Sequence, residues 1–380
     1  MDAKRYTKRR NQLRRALTGD LGFSSEGSNA GADSILITNE SNVRYLTGFT
    51  GDSSYLLVAK SAAADDILIS DPRYEEQIER QCQGLETHIR LPSEFLHRVT
   101  GKLFKSRSYR RIAFEASSVS VQLHEQLRQV GSGELVPSAG LVERQRAIKD
   151  ASEVATIEKA VAIAERTFQA LLPQLTPRMT EREVAFELEY LIRKLGGEGC
   201  AFAPIVAVGA NAALPHAEPG DVPLGDAPLL LLDWGATFEG YRSDLTRCLF
   251  TGRAPTKIRK AYQAVLDAQE AAISSLCPGL PGSEADAVVR EVLRSAGFEK
   301  KFNHGLGHGI GLDIHESPRM GKSFPQQLEP GMVITVEPGV YFPGLGGLRI
   351  EDDILITEDG CRVLSSLPKC VDSAEYRWLA

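Results

Sequence analysis

A hairpin that carries two aspartates constrains this chain more than any other stretch of it. Leu229–Phe250, LLLLDWGATFEGYRSDLTRCLF, passes from four leucines through the turn-type residues Thr237-Phe238-Glu239-Gly240 into a second β-favourable run. That is the pattern of two antiparallel strands. The fold-back point falls near 238/239, so Asp233 and Asp244 are equidistant from it and are expected to face each other, with Cβ atoms ~5 Å apart. Two buried like charges at that separation repel unless a cation neutralises them. The hairpin therefore asks for metal.

A second stretch has the same geometry. Val333–Thr357, VITVEPGVYFPGLGGLRIEDDILIT, is two β-runs about a Pro/Gly-rich turn centred on Gly344, with Glu337 and Glu351 equidistant from the centre. These glutamates are expected to face one another too, subject to bulges near Pro338 and Pro343. Between the hairpins lies NHGLGHGIGLDIHESPR, Asn303–Arg319, with His304, His308 and His315. A zinc-binding helix through His304 and His308 is excluded by Gly305, Gly307, Gly309 and Gly311, each costing about 1 kcal/mol in a helix. The glycines predict an extended backbone that approaches a ligand closely. Four carboxylates and an imidazole form an oxygen-rich set, which suits two divalent ions ~3.5–4 Å apart, with manganese, cobalt or zinc favoured over Cu(I). Such a pair points to hydrolysis. A lone structural zinc fits poorly, because no cysteine cluster is nearby.

At 380 residues and 42% apolar content, the chain can build two full cores. The net charge of −6 argues against nucleic acid as a partner and leaves a small or peptide substrate. Six scattered cysteines without C-x-x-C spacing predict reduced thiols and a cytoplasmic setting. The basic N-terminal tract KRYTKRRNQLRRAL lacks an apolar h-region and reads as a surface helix with Tyr6, Leu13 and Leu17 turned inward. No run is long and apolar enough to predict a membrane span. Gly22–Asp33 reads as a mobile surface loop.

From Ser34 to Pro137, β-runs (ILIT, SYLLVA, DILIS, THIRL, RIAFE, ELVPS) alternate with helical stretches near 74–82, 94–104 and 121–130. This is an α/β domain with a mixed or mainly parallel sheet. The pattern changes around Val136–Asp150, dividing the chain into 1–141 and 142–380. Asp150-Ala-Ser-Glu153 reads as a capping box opening a long helix, and Thr180–Glu183 opens another that stops at Gly196-Gly197. Further helices are predicted near 257–276 and 283–297, covering one face of an antiparallel sheet, an α+β layer.

The stretches LDWGATFEGYRSDLTR, HGLGHGIGLDIHESP, TVEPGVY and GLRIEDD resemble the motif blocks of the metal-dependent Xaa-Pro peptidases, the aminopeptidase P and prolidase branch of the pita-bread fold. GCAFAPIVAVGANAALPHAEPG resembles the substrate-side block, and SNVRYLTGFTGDSSYLLV with ILISDPRYEEQ resembles the branch's creatinase-like N-terminal domain. The resemblance implies metal ligands at Asp233, Asp244, His308, Glu337 and Glu351, with Asp244 and Glu351 touching both ions and Glu337 acting as general base for the bridging water. It implies substrate-binding and catalytic roles for His216, His315 and Arg349, the arginine fixing either a carboxylate or a substrate oxygen. Arg319 matches an arginine that meets a dipeptide's terminal carboxylate in some prolidases, and Tyr241 could hydrogen-bond near the metals. Of Asp352 and Asp353, strand alternation lets at most one look into the site. Phe202, Tyr341 and Phe342 are candidates for a proline slot.

The implied activity is cleavage of Xaa-Pro bonds in dipeptides or longer peptides, by a homodimer with two divalent ions, manganese first. Two alternatives share the architecture. One is creatinase-like amidine hydrolysis, which needs no metal; the other is a catalytically silent binding module, which would have eroded ligands. Methionine aminopeptidase would leave residues 1–140 unexplained.

Overall fold

Six short apolar runs in the first 140 residues, each flanked by polar or turn residues, assemble into one sheet. The structure is a computed structural model that describes residues 3–19, 21–22, 31–61, 65–250 and 255–369. Most of the predicted Gly22–Asp33 loop, and Cys370, lie outside these residues. The chain divides into two units, Met1–Arg146 and Ala147–Ala380.

In the first unit the order is α1 (Ala3–Ala16), β1 (Ser34–Ile37), α2 (Glu40–Thr47), β2 (Tyr55–Ala59), β3 (Ile67–Ser70), α3 (Glu75–Gln81), β4 (Glu86–Ile89), α4 (Leu96–Ser106), β5 (Arg111–Glu115), α5 (Val121–Val130), β6 (Glu134–Ser138) and α6 (Glu143–Ala147). The sheet runs β4-β3-β2-β1-β5-β6. It is mixed: β1 is antiparallel to β2 and β2 to β3, while β3/β4, β1/β5 and β5/β6 are parallel. Each parallel step is bridged by a helix-bearing crossover, as parallel pairing requires. Leu36, Leu57 and Ile112 pack with Phe104 of α4 and Leu127 of α5. Helix α1 buries Leu13, and Leu17 just beyond it, and spends much of its charge internally. Arg10 Nε and Arg14 Nη2 donate to the fully buried Asp66 at 2.9 and 2.6 Å, and the Arg9 guanidinium lies 3.8 Å from the Tyr45 ring centroid.

The second unit opens with α7 (Ala151–Leu171) and α8 (Glu181–Lys194), both closed at their N-termini by the predicted capping boxes, Asp150 with Glu153 and Thr180 with Glu183. Strands β7 (Gly199–Cys200), β8 (Ile205–Val208), β9 (Leu229–Trp234), β10 (Ala236–Phe238), β11 (Tyr241–Arg242) and β12 (Leu245–Phe250) follow. After α9 (Thr256–Ser275) and α10 (Gly282–Ser295) come β13 (Gly307–Gly309), β14 (Glu316–Met320), β15 (Val333–Val336), β16 (Gly339–Phe342), β17 (Gly346–Arg349), β18 (Asp352–Ile356) and β19 (Cys361–Val363). Their orders are β11-β10-β7, β12-β9-β8, β14-β13-β15-β18-β19 and β16-β17, with antiparallel pairing throughout.

Alternation along β9 decides what it carries. Leu230, Leu232 and Trp234 pack with Phe168 of α7 and Leu188 of α8, while Leu229 and Leu231 join the cluster built on α9 and α10. Both faces of this strand are therefore covered, where the sequence suggested one. Asp233 falls in phase with Leu229 and Leu231. No helix among the described residues is long and apolar enough to cross a membrane.

The register of the first hairpin differs from expectation by two residues. Phe238 pairs with Tyr241, Trp234 with Leu245 and Asp233 with Thr246, so the turn is centred on Glu239-Gly240 rather than 238/239. Both turn residues have positive φ, 45° and 74°, the requirement of a two-residue hairpin turn whose twist matches the strands. Asp244 is therefore not opposite Asp233. A two-residue shift preserves parity, so both aspartates stay on one face as diagonal neighbours. The second hairpin keeps the predicted centre: Gly339 pairs with Arg349 and Phe342 with Gly346, and further down Val336 pairs with Asp352 and Thr335 with Asp353. Both ladders share one register about Gly344, which puts Glu337 and Glu351 at corresponding positions between them.

Candidate metal centre

Asp244, just before β12, His308, in the middle of β13, and Glu351, just before β18, converge from three separate segments. Each offers one ligand atom, and these atoms all lie within 4.8 Å of one another. Thr246 O accepts the Glu351 N–H at 3.3 Å in an isolated bridge, tying β12 to the second hairpin. His308 Nε2 lies 3.8 Å from Asp244 Oδ2 and 3.4 Å from Glu337 Oε1. These are not ion pairs, because burial pushes the His308 imidazole down to about 3 and leaves it neutral. Its Nδ1 faces Gly309 O at 3.0 Å. A carbonyl only accepts, so Nδ1 carries the proton and the Nε2 lone pair points at carboxylate oxygens. Such an arrangement is repulsive without a cation between the groups.

The carboxylates make the same demand. Burial, followed by the charges of Glu351 and Asp233, pushes Asp244 well above the usual carboxylate range; burial, then Glu337 and Asp233, does the same to Glu351. Burial raises Glu337 to about 7, although Arg349 opposes it. Asp233 is raised by burial against the pull of Arg349, and its Oδ1 is buried without a hydrogen-bond partner. An orphaned carboxylate oxygen, a lone pair aimed at acids and a buried cluster of negative charge together fit hard or borderline divalent cations.

Two threonines fix the glutamates. Thr335 is two residues before Glu337 and so shares a strand face with it, while Thr246, two after Asp244, faces the same way as that aspartate and meets Glu351 across the isolated bridge. Thr335 Oγ1 accepts from the His308 N–H and donates to Glu337 Oε1, both at 3.1 Å. Thr246 Oγ1 donates to Glu351 Oε2 at 2.6 Å and accepts from Arg349 Nε at 3.1 Å. Neither threonine was singled out from the sequence; the i±2 spacing from Glu337 could have found Thr335, and nothing local points from Thr246 to Glu351. Arg349 is buried; it also ion-pairs with Asp233 and donates to the Tyr341 hydroxyl at 2.6 Å. Its guanidinium thus holds the Asp233 carboxylate.

These groups sit at the bottom of a cleft of about 590 Å³. His216, His315 and Arg319 line it and are exposed, and the His315 ring stacks edge-on against His308 with centroids 4.4 Å apart. Phe202 lines it as well, as do Ile314, Met320 and Phe324, which sequence reading did not select. The expected placements of Tyr241, Phe342 and Tyr341 fail. The Tyr241 hydroxyl donates to Glu153 of α7 at 2.7 Å and does not face the cleft, because alternation turns it away from its neighbour Arg242. Phe342 belongs to the core beside Phe298. Tyr341 is buried, hydrogen-bonded to Arg349 and to His304 Nε2 at 3.0 Å. Neither Asp352 nor Asp353 lines the cleft: Asp353 Oδ2 accepts the Asp244 N–H at 3.0 Å, and Asp352 binds Arg247 and Lys369, each at 2.7 Å.

Gly305 and Gly307 of the histidine segment line the cleft, and Gly307 and Gly309 also serve chain packing. A Cβ on Gly307 would stand 2.1 Å from Thr335 O, and one on Gly309 would stand 2.3 Å from Ser317 O. Backbone meets backbone there, and no side chain fits.

Known proteins share this arrangement's sequence and fold. The pattern of metallopeptidase family M24 matches residues 155–358, and that of the creatinase/prolidase N-terminal domain matches residues 25–148. A Bacillus subtilis protein called an uncharacterized peptidase is 40% identical over 340 residues, 89% of this chain and 95% of its own. The Xaa-Pro dipeptidase of Pyrococcus horikoshii is 34% identical over 334 residues, 88% of this chain and 92% of its own. Among solved structures, the Xaa-Pro dipeptidase from Bacillus anthracis superposes with TM-score 0.89 at 35% identity, covering 96% of this chain and 99% of that one. The X-Pro aminopeptidase from Thermotoga maritima superposes with TM-score 0.83 at 34% identity, covering 89% and 97%.

Proposed function

Because the chain belongs to metallopeptidase family M24 and carries a creatinase/prolidase N-terminal domain, we propose that it is a metal-dependent exopeptidase hydrolysing Xaa-Pro peptide bonds. The observation that carries this reading is the convergence of Asp244, His308 and Glu351 at the floor of a cleft. Asp233, Asp244, His308, Glu337 and Glu351 would hold two divalent ions, manganese first, with Asp244 and Glu351 in the expected role of ligands shared between them. When bound, such ions lower the pKa of a water to about 7 and polarise a carbonyl.

The chain's own residues do the rest. Thr335 donates to the Glu337 carboxyl and orients it, suiting it to take a proton from the attacking water. The proline nitrogen needs a proton to leave as an amine, and Glu337 can return it there. Arg349 keeps Asp233 turned toward its neighbours, while His216 and His315, exposed on the cleft walls, bind the substrate carbonyl. Proline offers no N–H, so selection falls to an apolar surface such as Phe202 and Ile314. Arg319 at the rim supports a terminal carboxylate, and hence a dipeptide.

Free thiols among the described cysteines support a cytoplasmic setting, and the homodimer rests on the resemblance. The creatinase-like and silent readings are not favoured, since the relatives carry peptidase names and the acids converge around a neutral imidazole. The test is metal-stripped protein reloaded with manganese or cobalt and given Gly-Pro, Ala-Pro-Phe and Ala-Leu. Cleavage of the proline substrates only, lost in Glu337→Gln, supports the proposal, and equal cleavage of Ala-Leu refutes it.

A further inference from the structure

Two of the segments that line the cleft, residues 201–204 and 310–315, lie outside any helix or strand. Phe202 and Ala203 come from the first wall, Ile314 and His315 from the second. One side chain reaches both. Arg242 stands on β11, with its neighbour Tyr241 turned the other way toward α7. The Arg242 backbone N–H donates to Gly311 O at 2.9 Å and its Nε to Leu312 O at 3.2 Å, while its Nη1 donates to Ala201 O. A single guanidinium thus joins two carbonyls more than a hundred residues apart in sequence, each one to three positions from a cleft-lining side chain.

From this bridging we propose that Arg242 is a specificity-determining positioning residue, which fixes the distance between the Phe202 wall and the Ile314–His315 wall and so sets the fit of the proline ring. The inference rests on reading the cleft as the Xaa-Pro site. Arg242 touches neither the acids nor the substrate; it acts through two loops whose carbonyls it holds. The planar fork matters. Donors on opposite sides of the guanidinium reach both carbonyls at once, and a lysine ammonium on its flexible stem offers no such fixed pair. Charge-assisted hydrogen bonds also exceed neutral ones in strength, which suits a link between otherwise irregular segments.

The experiment compares wild type, Arg242→Ala and Arg242→Lys as full-length, manganese-loaded protein. Three readouts are taken: KM and kcat on Ala-Pro, manganese affinity, and amide hydrogen exchange over 201–204 and 310–315. The expected result for Arg242→Ala is KM raised roughly tenfold or more, kcat and manganese affinity near wild type, and faster exchange in both segments. In Arg242→Lys only one segment should loosen, and this variant decides the matter if Arg242→Ala fails to fold. Wild-type KM and exchange in both variants overturn the proposal. So does a fall in kcat and manganese affinity at unchanged KM, which would mean that Arg242 acts on the neighbouring Asp244 instead. If wild type cleaves no Xaa-Pro substrate, the proposed function fails, and the exchange data alone still decide whether Arg242 couples the walls.

Discussion

Removing metal should make the stability of the catalytic unit fall as pH rises, and Glu337 gives the size of the effect. Its carboxyl sits at about 7 in the folded protein, against about 4.3 in an unfolded chain. A raised carboxyl binds its proton more tightly when folded, so its contribution is favourable at low pH and is lost as pH rises through the window from the unfolded to the folded value. Between pH 5.5 and 8, Glu337 alone should cost about 2 kcal/mol. Asp244 and Glu351, pushed well up, act in the same direction. His304 and His308, pushed down by burial to about 4 and about 3, act in the opposite one. The informative quantity is therefore the difference between wild type and Glu337→Gln, both stripped with EDTA and followed by thermal unfolding. From pH 5.5 to 8, wild type should lose roughly 4–8 °C more in Tm than the variant. Reloading manganese should abolish that gap, since an ion keeps the carboxylates charged at no cost. Parallel pH profiles for the two stripped proteins would refute the reasoning.

Three other perturbations follow from the geometry. Thr246→Val strands a carboxylate oxygen of Glu351 and the Nε of Arg349; it should destabilise by about 1–3 kcal/mol and weaken manganese binding by calorimetry, while Thr246→Ser restores both. Gly307→Ala drives a methyl to 2.1 Å from Thr335 O; β13 must shift, so urea unfolding should show a loss of roughly 3 kcal/mol or more, with reduced metal content. Burial pushes Asp352 up, but Arg247 and Lys369 overcome this and hold it at about 2. Its stabilisation, roughly 2–3 kcal/mol, is present above pH ~4 and lost as pH falls toward 2, so Asp352→Asn should remove that part of the acid limb in chemical unfolding.

What the sequence made legible was whatever depends on local pattern. The capping boxes at Asp150 and Thr180 formed because both partners lie within one turn, and the Gly344 hairpin kept its centre because its glycines and prolines permit few turns. The first hairpin slipped by two residues because Thr237-Phe238-Glu239-Gly240 allows more than one fold-back, and the turn actually used requires positive φ at Glu239, a residue with no preference for it. Tyr241 was misdirected for a different reason: it stands three residues from Asp244, and an odd separation on a strand faces it away, here toward Glu153. The bond from Thr246 to Glu351 and the bridging by Arg242 were invisible because their partners lie far away in sequence, at distances only the assembled sheets define, whereas Thr335 stands two residues from Glu337, within reach of strand alternation.

The shared register about Gly344 bears on how this protein can change over evolutionary time. Leu345 at the hairpin tip is exposed, and a Cβ on Gly344 would meet nothing within 4 Å. The tip can therefore gain or lose residues, or accept a grafted peptide, without disturbing the ladders beneath it. The stems have no such freedom. Deleting one residue between Glu337 and Gly344 reverses the facing of everything below the deletion relative to its partner strand, turning Glu337 out of the site in a single step. Length variation in such a hairpin is confined to its last few residues, and the spacing from each glutamate to the tip behaves as a fixed count.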